Sequence, residues 1–170
     1  MWFFKPVCSC LVLLLLSGCG FKSLYGTHGK FDSPTELSAI KISLIPDRIG
    51  QQVRNELLDL MTPHGAPQYP HYILNVIVNE SKKAFAFKKN AFATRADLRL
   101  TGSYNLLSSV NGKQLTSGTV YVISSYDVVS SDFATVSAEK NARERNILQL
   151  SEDIRTRLAV YFVDQSKNSQ

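Results

Sequence analysis

A short apolar run that ends in a cysteine decides which part of this chain is free to fold. Leu16-Ser17-Gly18-Cys19 closes an apolar run, and Lys5 precedes that run. A positively charged start, a short apolar core and small residues before a cleavage point are the parts of a secretory signal peptide. With cysteine directly after the cut, the pattern is that of a bacterial lipobox, whose cysteine carries a diacylglycerol and usually a further acyl chain such as palmitate. We therefore expect a mature chain that begins at Cys19 and is held to a membrane by lipid.

The apolar run is too short to cross a membrane by itself. Residues 7–16 cover about half of the roughly 20 apolar residues that a transmembrane helix needs. An uncleaved N-terminal anchor and an ordinary signal peptide with a chance cysteine are the alternatives to a lipobox. Gly20 stands where an Asp retains lipoproteins in the inner membrane of many Gram-negative bacteria. This residue favours the periplasmic face of the outer membrane.

Cleavage before Cys19 divides the chain into four parts. We predict a signal peptide over residues 1–18, a lipidated tether over 19–36, a single folded α+β domain over 37–164 and a disordered tail over 165–170. Cys8 and Cys10 would leave with the signal peptide, so the mature domain has neither a disulfide nor a free thiol. The net charge of +5 for the full chain is compatible with an anionic partner, and export argues against nucleic acid as that partner.

Hydrophobic periodicity within the domain predicts six elements. Apolar residues alternate with polar ones in three segments, as half-buried strands require, and recur every three or four positions in two others. A fourth strand is expected after the hairpin signal at residues 111–112. The predicted order is strand 39–45, helix 47–61, strands 71–79, 95–107 and 114–126, and helix 134–164. Ile40, Ile42 and Leu44 are placed on the buried face of the first strand. Asp47 is predicted to cap the first helix, and Asn111-Gly112 to form the turn of a hairpin.

This order of elements favours an α+β fold with two layers. A four-stranded, mostly antiparallel sheet with two helices packed on one face, in the order β-α-β-β-β-α, buries the apolar side of every element. The last three strands should form an antiparallel meander because short connections join them. The position of the first strand in the sheet is left open, since a helix and a long loop separate it from the second strand.

The residues that most chemistry requires are missing from the domain. The histidines His28, His64 and His71 have no spacing suited to a metal, and zinc sites built on thiolates are excluded with the thiols. Neither a phosphate-binding glycine loop nor a nucleophile elbow occurs. The carboxylates of Asp97, Asp127 and Asp132 are interpreted as solvated side chains. We expect no enzymatic activity, no cofactor and no metal.

One segment combines basic and aromatic residues and is the candidate site. Its members are Lys82, Lys83, Phe85, Phe87, Lys88, Lys89 and Arg95. Ammonium groups bind phosphate as compact charges and arginine binds it as a fork, while phenyl rings beside them suit acyl chains or an apolar protein surface. Contact with lipopolysaccharide or a protein partner is one interpretation. The other is a two-strand extension in which lysines protect a sheet edge and the phenylalanines face the core.

Several stretches resemble the lipopolysaccharide-assembly lipoprotein LptE family. Cys19-Gly20-Phe21-Lys22-Ser23-Leu24-Tyr25-Gly26 is similar to the family opening CGFxPLYG, with Ser23 where Pro is usual. Residues 118–120, 125–129, 133–135, 138–145 and 150–162 are similar as well, so the resemblance covers nearly the whole mature chain. The resemblance implies two helices on a four-stranded sheet, which agrees with the periodicity. It transfers no lipopolysaccharide-contact residue to a numbered position here.

The resemblance also implies a function without covalent chemistry. It implies an outer-membrane lipoprotein that plugs an LptD-like β-barrel, assists assembly of that barrel and contacts lipopolysaccharide on its way to the outer leaflet. Partners would be the barrel, lipopolysaccharide and the outer-membrane lipid that holds the acyl chains of Cys19. The alternative is a lipoprotein facing the periplasm that binds another envelope component or a secretion machine.

Overall fold

The computed structural model describes residues 33–85 and 95–168. They form three helices and four strands, which are α1 (Ser33–Ser38), β1 (Ile40–Ile42), α2 (Asp47–Met61), β2 (Tyr72–Phe85), β3 (Arg95–Ser108), β4 (Gln114–Asp127) and α3 (Asp132–Asn168). The strands form one sheet in the order β1-β2-β3-β4. The predicted α+β fold, with helices packed against a four-stranded and mostly antiparallel sheet, is confirmed.

The three long strands alternate between a buried and a solvent-facing side. On β3 the even-numbered residues from Ala96 to Leu106 are buried, and the odd-numbered ones are exposed or half-buried. β2 and β4 flank β3 in antiparallel register along its length, with Val76 opposite Tyr104 and Tyr104 opposite Gly118. The side of the sheet away from α2 and α3 is called the open face below. The alternation predicted for β2 and β3 is confirmed.

The first strand pairs with β2 and runs parallel to it. Ile40 lies opposite Tyr72 and Ile42 opposite Leu74. This placement answers the question that the sequence left open. β1 is shorter than predicted, because pairing ends at Ile42 and the chain leaves the sheet to enter α2.

The turn into α2 differs from the prediction at two residues. Leu44, predicted to be buried, is 85% exposed, while Ile45 is buried in its place and packs against Gly50. Asp47 does not cap the helix: Pro46 holds the position before the first turn, and it makes no side-chain hydrogen bond there. Asp47 adopts a φ of 67°, a left-handed conformation that aspartate tolerates better than most residues. The left-handed conformation at the start of α2 is thus adopted by Asp47 and not by a glycine.

Other boundaries also differ from the prediction. α3 covers Asp132–Asn168 instead of 134–164, so residues 165–168 of the predicted disordered tail are helical. β2 continues to Phe85 rather than ending at 79, so part of the basic and aromatic segment is strand. A short helix, α1, precedes β1, and its Leu37 is buried in the core while its Glu36 accepts a hydrogen bond from the Tyr72 hydroxyl at 3.0 Å. These contacts bind α1 to the body of the domain.

Two buried clusters lie between the helices and the sheet. The larger cluster joins β1, α2 and the second half of α3 to the middle of the sheet, and Leu150, Ile154 and Leu158 are fully buried within it. The smaller cluster lies under the first half of α3 and consists of Ala96, Leu98, Tyr126 and Ala142, with Val128 and Ala138 beside them. Small alanines let the polar first half of α3 approach the sheet closely.

A glycine in β4 makes room for an aromatic ring on the neighbouring strand. A Cβ atom at Gly118 would lie 2.8 to 3.0 Å from atoms of the Tyr104 ring, which is buried. We expect Gly118→Val to lower the free energy of unfolding by about 1–3 kcal/mol, since the ring must leave its rotamer. Urea unfolding of the variant and of Ser117→Val, at the exposed neighbouring residue, measures the effect. An equal or higher stability for Gly118→Val would show that the ring moves freely.

Candidate interaction surface at the hairpin end

One end of the sheet holds the described part of the basic and aromatic segment. There β2 ends at Phe85, β3 begins at Arg95 and β4 ends at Asp127, and these three residues lie opposite one another. Lys83 lies two residues before Phe85 on the same face of the sheet. We call this region the hairpin end. Phe87, Lys88 and Lys89 lie outside the described residues, so their part in a site stays a prediction.

The structure separates the predicted site residues by strand alternation. Lys83, Phe85 and Arg95 belong to the open face, and the Lys83 Nζ atom lies 5.2 Å from the centre of the Phe85 ring. Lys82 belongs to the opposite, helix-covered side, where its ammonium group pairs with Glu139 of α3. Lys82, although its side chain is 48% exposed, is therefore held by an ion pair within the domain. Lys83 and Arg95 are exposed on the open face.

The pairing of Lys82 is part of a four-residue ion network under the first half of α3. Arg143 donates to both carboxylate oxygens of Glu80, from Nε at 2.7 Å and from Nη2 at 3.0 Å. Its Nη2 group also donates to Glu139 Oε1 at 2.6 Å. Tyr126 donates its hydroxyl to the other oxygen of Glu139 at 3.2 Å. The network joins α3 to β2. Its two cations balance its two anions, so it carries no net charge.

The network shifts the protonation equilibria of its members. The hydrogen bond from Lys82, supported by Arg143, lowers the pKa of the Glu139 carboxyl below its ordinary value, against the opposing effect of burial. Burial, followed by the negative charge of Glu139, raises the pKa of the Tyr126 hydroxyl. Glu139 therefore remains ionised and Tyr126 remains protonated at neutral pH. These states suit a structural network rather than proton transfer.

The open face carries more basic than acidic side chains. Its charged residues are Lys41, Lys83, Arg95, Arg99, Asp97 and Asp127. Asp97 accepts a hydrogen bond from Ser125 at 2.6 Å, and the Arg99 guanidinium lies 4.7 Å from the centre of the Tyr121 ring. Four cations thus face two anions on this surface, which also displays aromatic rings. Lys83 lies opposite Asp97 and Arg95 opposite Asp127, so the excess comes from Lys41 and Arg99.

Large apolar side chains are exposed beside the hairpin end. Phe133 is 86% exposed, Val136 67% and Val129 49%. They follow the end of β4 and the start of α3, whose Ala138 and Ala142 pack over Ala96 and Tyr126 at this same end of the sheet. Phe133 and Val136 lie on the helix side opposite those alanines, so they project away from the sheet. Exposed apolar side chains grouped in this way are typical of surfaces that contact lipid or protein.

Sequence reasoning missed this apolar group. The predicted helix began at 134, which left Phe133 in a loop, and the buried alanines gave the first half of α3 a weak apolar stripe. Phe133 and Val136 are three positions apart, a helical spacing that signals a shared face. Their spacing could have indicated a shared helix face. That this face is exposed follows only from the packing of the alanines against the sheet on the opposite side.

The described residues include neither a candidate metal site nor a helix that could span a membrane. Within 33–85 and 95–168, no group of three or more His, Cys, Asp or Glu side chains is placed to hold a metal ion. No helix in these ranges has both the length and the apolar character needed to cross a membrane. A surface cavity beside α2 contains one ionisable residue among its lining residues, which are Leu44, Ile45, Pro46, Gln51, Arg54 and Asn55. Arg54 there donates to the Ser43 carbonyl oxygen.

The fold is shared with bacterial lipoproteins. A candidate lipoprotein of Caulobacter crescentus superposes with a TM-score of 0.65 and is 25% identical, covering 78% of this chain and 96% of its own. Rare lipoprotein B of Shewanella oneidensis superposes with a TM-score of 0.57 at 12% identity, covering 75% of this chain and 98% of its own. Both structures show a fold that occurs in bacterial lipoproteins. At 12% identity, the Shewanella structure supports the fold alone.

A sequence relative extends over nearly the whole chain. The uncharacterized protein RP188 of Rickettsia prowazekii is 24% identical over 153 residues, which cover 90% of this chain and 94% of that protein. No family model matches the sequence. The assignment of a function therefore depends on the lipobox, the fold and the hairpin end.

Proposed function

We propose that this chain is an outer-membrane lipoprotein, anchored through acyl chains on Cys19, that forms a complex with an LptD-like β-barrel. In this proposal the domain acts as plug and assembly factor for the barrel and contacts lipopolysaccharide during its transport to the outer leaflet. The observation that carries the proposal is the placement of two exposed cations, Lys83 and Arg95, beside the Phe85 ring on the open face at the hairpin end. The lipobox, the LptE resemblance and the lipoprotein fold support the anchoring and the partner.

The chemistry of the hairpin end fits a phosphorylated amphiphile. Lipopolysaccharide presents phosphates on a sugar that carries fatty chains. Lys83 offers a compact charge and Arg95 a two-pronged donor for the phosphates. The Phe85 ring, 5.2 Å from the Lys83 Nζ atom on the same face, offers apolar contact for the acyl chains. Phe133 and Val136, exposed on α3 at the other side of the sheet, offer apolar contact for the wall of the barrel. Binding through these groups breaks and forms no covalent bond, so we propose a binding subunit and not an enzyme.

Reversing charge at Lys83 and Arg95 tests the lipopolysaccharide contact. We expect Lys83→Glu/Arg95→Glu to weaken binding of lipopolysaccharide by the purified protein about 3- to 30-fold, because exposed charge contacts contribute modestly and are screened by salt. Lys140→Glu/Lys167→Glu changes the net charge equally on exposed positions of α3 and should leave binding within about twofold. Equal weakening by both pairs would show a general charge effect and would contradict a site at the hairpin end.

Lys82 provides a second contrast within the same segment. Lys82→Glu places a third carboxylate beside Glu139 and Glu80, so its main effect should be a loss of folding stability of about 1 kcal/mol. The variant should bind lipopolysaccharide like the wild type wherever it is folded. Titration of both proteins with fluorescent lipopolysaccharide, after circular dichroism has verified folding, separates the two effects. Weakened binding by folded Lys82→Glu would place Lys82 in the contact after all.

A further inference from the structure

The end of the sheet opposite the hairpin end carries two exposed apolar side chains on neighbouring loops. Tyr69, in the loop between α2 and β2, is 83% exposed, and Val110, in the turn between β3 and β4, is 90% exposed. The Ser109 hydroxyl donates to the Pro70 carbonyl oxygen at 2.6 Å, and the Ser109 amide donates to the His71 carbonyl oxygen at 2.9 Å. These bonds hold the two loops side by side. We call this region the turn end.

Hydrogen bonds also fix the turn that carries Val110. The Lys113 amide donates to the Asn111 side-chain oxygen at 3.0 Å, and the Gly112 amide donates to the Ser108 carbonyl oxygen at 2.9 Å. Gly112 has a φ of 67°, which glycine adopts without a steric penalty. Because the turn is already ordered, a contact made through Val110 requires little further ordering of the backbone.

The connection to Cys19 enters the domain at the turn end. Glu36 of α1 accepts a hydrogen bond from the hydroxyl of Tyr72, the first residue of β2, at 3.0 Å. Residues 19–32, 14 in all, precede α1 and span at most about 50 Å. The ladder of β2 and β3 extends about 44 Å from the turn end to the hairpin end. An anchor at Cys19 thus holds the turn end near the lipid leaflet, whereas the hairpin end would meet that leaflet only if the connection ran almost fully extended along the sheet.

We propose that the turn end contacts the surface of the leaflet that holds the acyl chains of Cys19, with Tyr69 and Val110 among the lipid headgroups. Tyrosine is enriched at membrane interfaces because its ring is apolar and its hydroxyl is polar. Lys113 is exposed in the same turn as Val110 and places an ammonium group within reach of lipid phosphates. The inference rests on the anchor at Cys19, which is part of the proposed function, and on neither the barrel nor lipopolysaccharide.

Lipid contact at the turn end is compatible with a plug inside a barrel. The hydrocarbon core of a bilayer is roughly 30 Å thick, and the ladder of β2 and β3 is about 44 Å long. When the hairpin end lies inside the barrel, the turn end therefore reaches beyond the hydrocarbon core to the headgroups at the periplasmic mouth. The leaflet surrounds that mouth, and the acyl chains of Cys19 enter the same leaflet.

Tryptophan fluorescence tests the contact in the full-length, lipidated chain. Trp2 is the single tryptophan of the sequence and precedes Cys19, so one added tryptophan is the sole reporter in the mature chain. The test variants are Tyr69→Trp and Val110→Trp. Each purified protein is reconstituted into vesicles of phosphatidylethanolamine and phosphatidylglycerol, with or without bromine on the acyl chains. Bromine quenches tryptophan only at short range, so quenching reports entry into the lipid.

Two control variants carry the same reporter elsewhere. Phe133→Trp lies near the hairpin end, where Phe133 is 86% exposed and so matches Tyr69 in accessibility. Val160→Trp lies on the flank of α3, where Val160 is 44% exposed. Quenching of the second control would report a domain that lies on its side on the membrane.

We expect brominated lipid to quench Tyr69→Trp and Val110→Trp at least about threefold more strongly than either control, because their indole rings enter the interface. Adding Tyr69→Ser to Val110→Trp should reduce the quenching to about half, since both loops contribute apolar contact. Circular dichroism verifies that every variant is folded, and mass spectrometry verifies the acyl chains on Cys19.

Two outcomes would overturn the inference. One is equal quenching, or none, in test and control variants of an acylated chain, which would contradict lipid contact at the turn end and leave the proposed function intact. The other is a chain without acyl groups on Cys19, which would contradict the anchor and hence the proposed function as well. The vesicles contain neither a barrel nor lipopolysaccharide, so the result depends on neither partner.

Discussion

Leu150→Ala is expected to lower the free energy of unfolding by about 3–5 kcal/mol. Leu150 is fully buried at the centre of α3, and its Cδ2 atom would lie 3.1 Å from a Cβ atom at Gly102 of β3. The leucine thus packs directly on the sheet backbone. The backbone of a central strand cannot move inward to fill the space, so the substitution leaves a cavity. The loss of stability therefore lies in the upper part of the range for such substitutions.

A leucine two positions earlier provides the matched control. Leu148 is 45% exposed on the same helix, and Leu148→Ala should cost less than about 1 kcal/mol because little packing is lost. Urea unfolding monitored by circular dichroism gives both values. Similar losses for the two variants would mean that α3 presents a different face to the sheet than the one described.

Arg143→Ala is expected to cost about 2–3 kcal/mol at neutral pH. The substitution leaves the carboxylates of Glu80 and Glu139 without their shared cation, while their side chains are only 14% and 22% exposed. Breaking a fully buried ion pair costs about 3–5 kcal/mol, and partial exposure of this network reduces that figure. Lys140→Ala is the control, because the Lys140 Nζ atom lies 3.8 Å from Glu144 Oε1 on the exposed side of the same helix. This substitution should lower the free energy of unfolding by less than about 0.5 kcal/mol.

The effect of Arg143→Ala should depend on pH in a defined direction. The folded-state pKa of Glu139 is lowered, first by the hydrogen bond from Lys82, from an ordinary value of 4.5. The stabilisation that ionised Glu139 gives the folded protein is therefore complete above the ordinary pKa of 4.5. It is lost as the pH falls through the lower pKa of the folded state. Protonation also relieves the repulsion that the variant introduces. The difference in stability between wild type and variant should narrow in acid, and a constant difference would contradict the assigned network.

Much of the fold could be predicted because periodicity reports burial directly. The alternation in β2, β3 and β4 and the apolar stripe of α3 arise from contacts that each element makes on one side only. β1 was less predictable, because three paired residues carry little periodic signal and the turn at Asp47 depends on a backbone conformation. The alternating pattern therefore placed Leu44 in a strand that had already ended.

The candidate site was harder to predict because its members meet across long sequence separations. Lys82 and Lys83 are adjacent and chemically alike, yet the strand directs one towards Glu139 and the other to the open face. Only the position of α3 over β2 determines that difference. Phe133 and Val136 likewise are exposed because α3 packs on the sheet through alanines on its opposite side.

Affinity purification of the tagged, full-length chain from outer membranes of its native bacterium tests the central claim most directly. After extraction in mild detergent, we predict that a large β-barrel protein and lipopolysaccharide co-purify with the wild-type chain. Lys83→Glu/Arg95→Glu should retain the barrel and lose most of the lipopolysaccharide, while Lys140→Glu/Lys167→Glu should retain both. Mass spectrometry and phosphate analysis quantify the two partners. A wild-type chain that is purified without any barrel protein would contradict the proposed function.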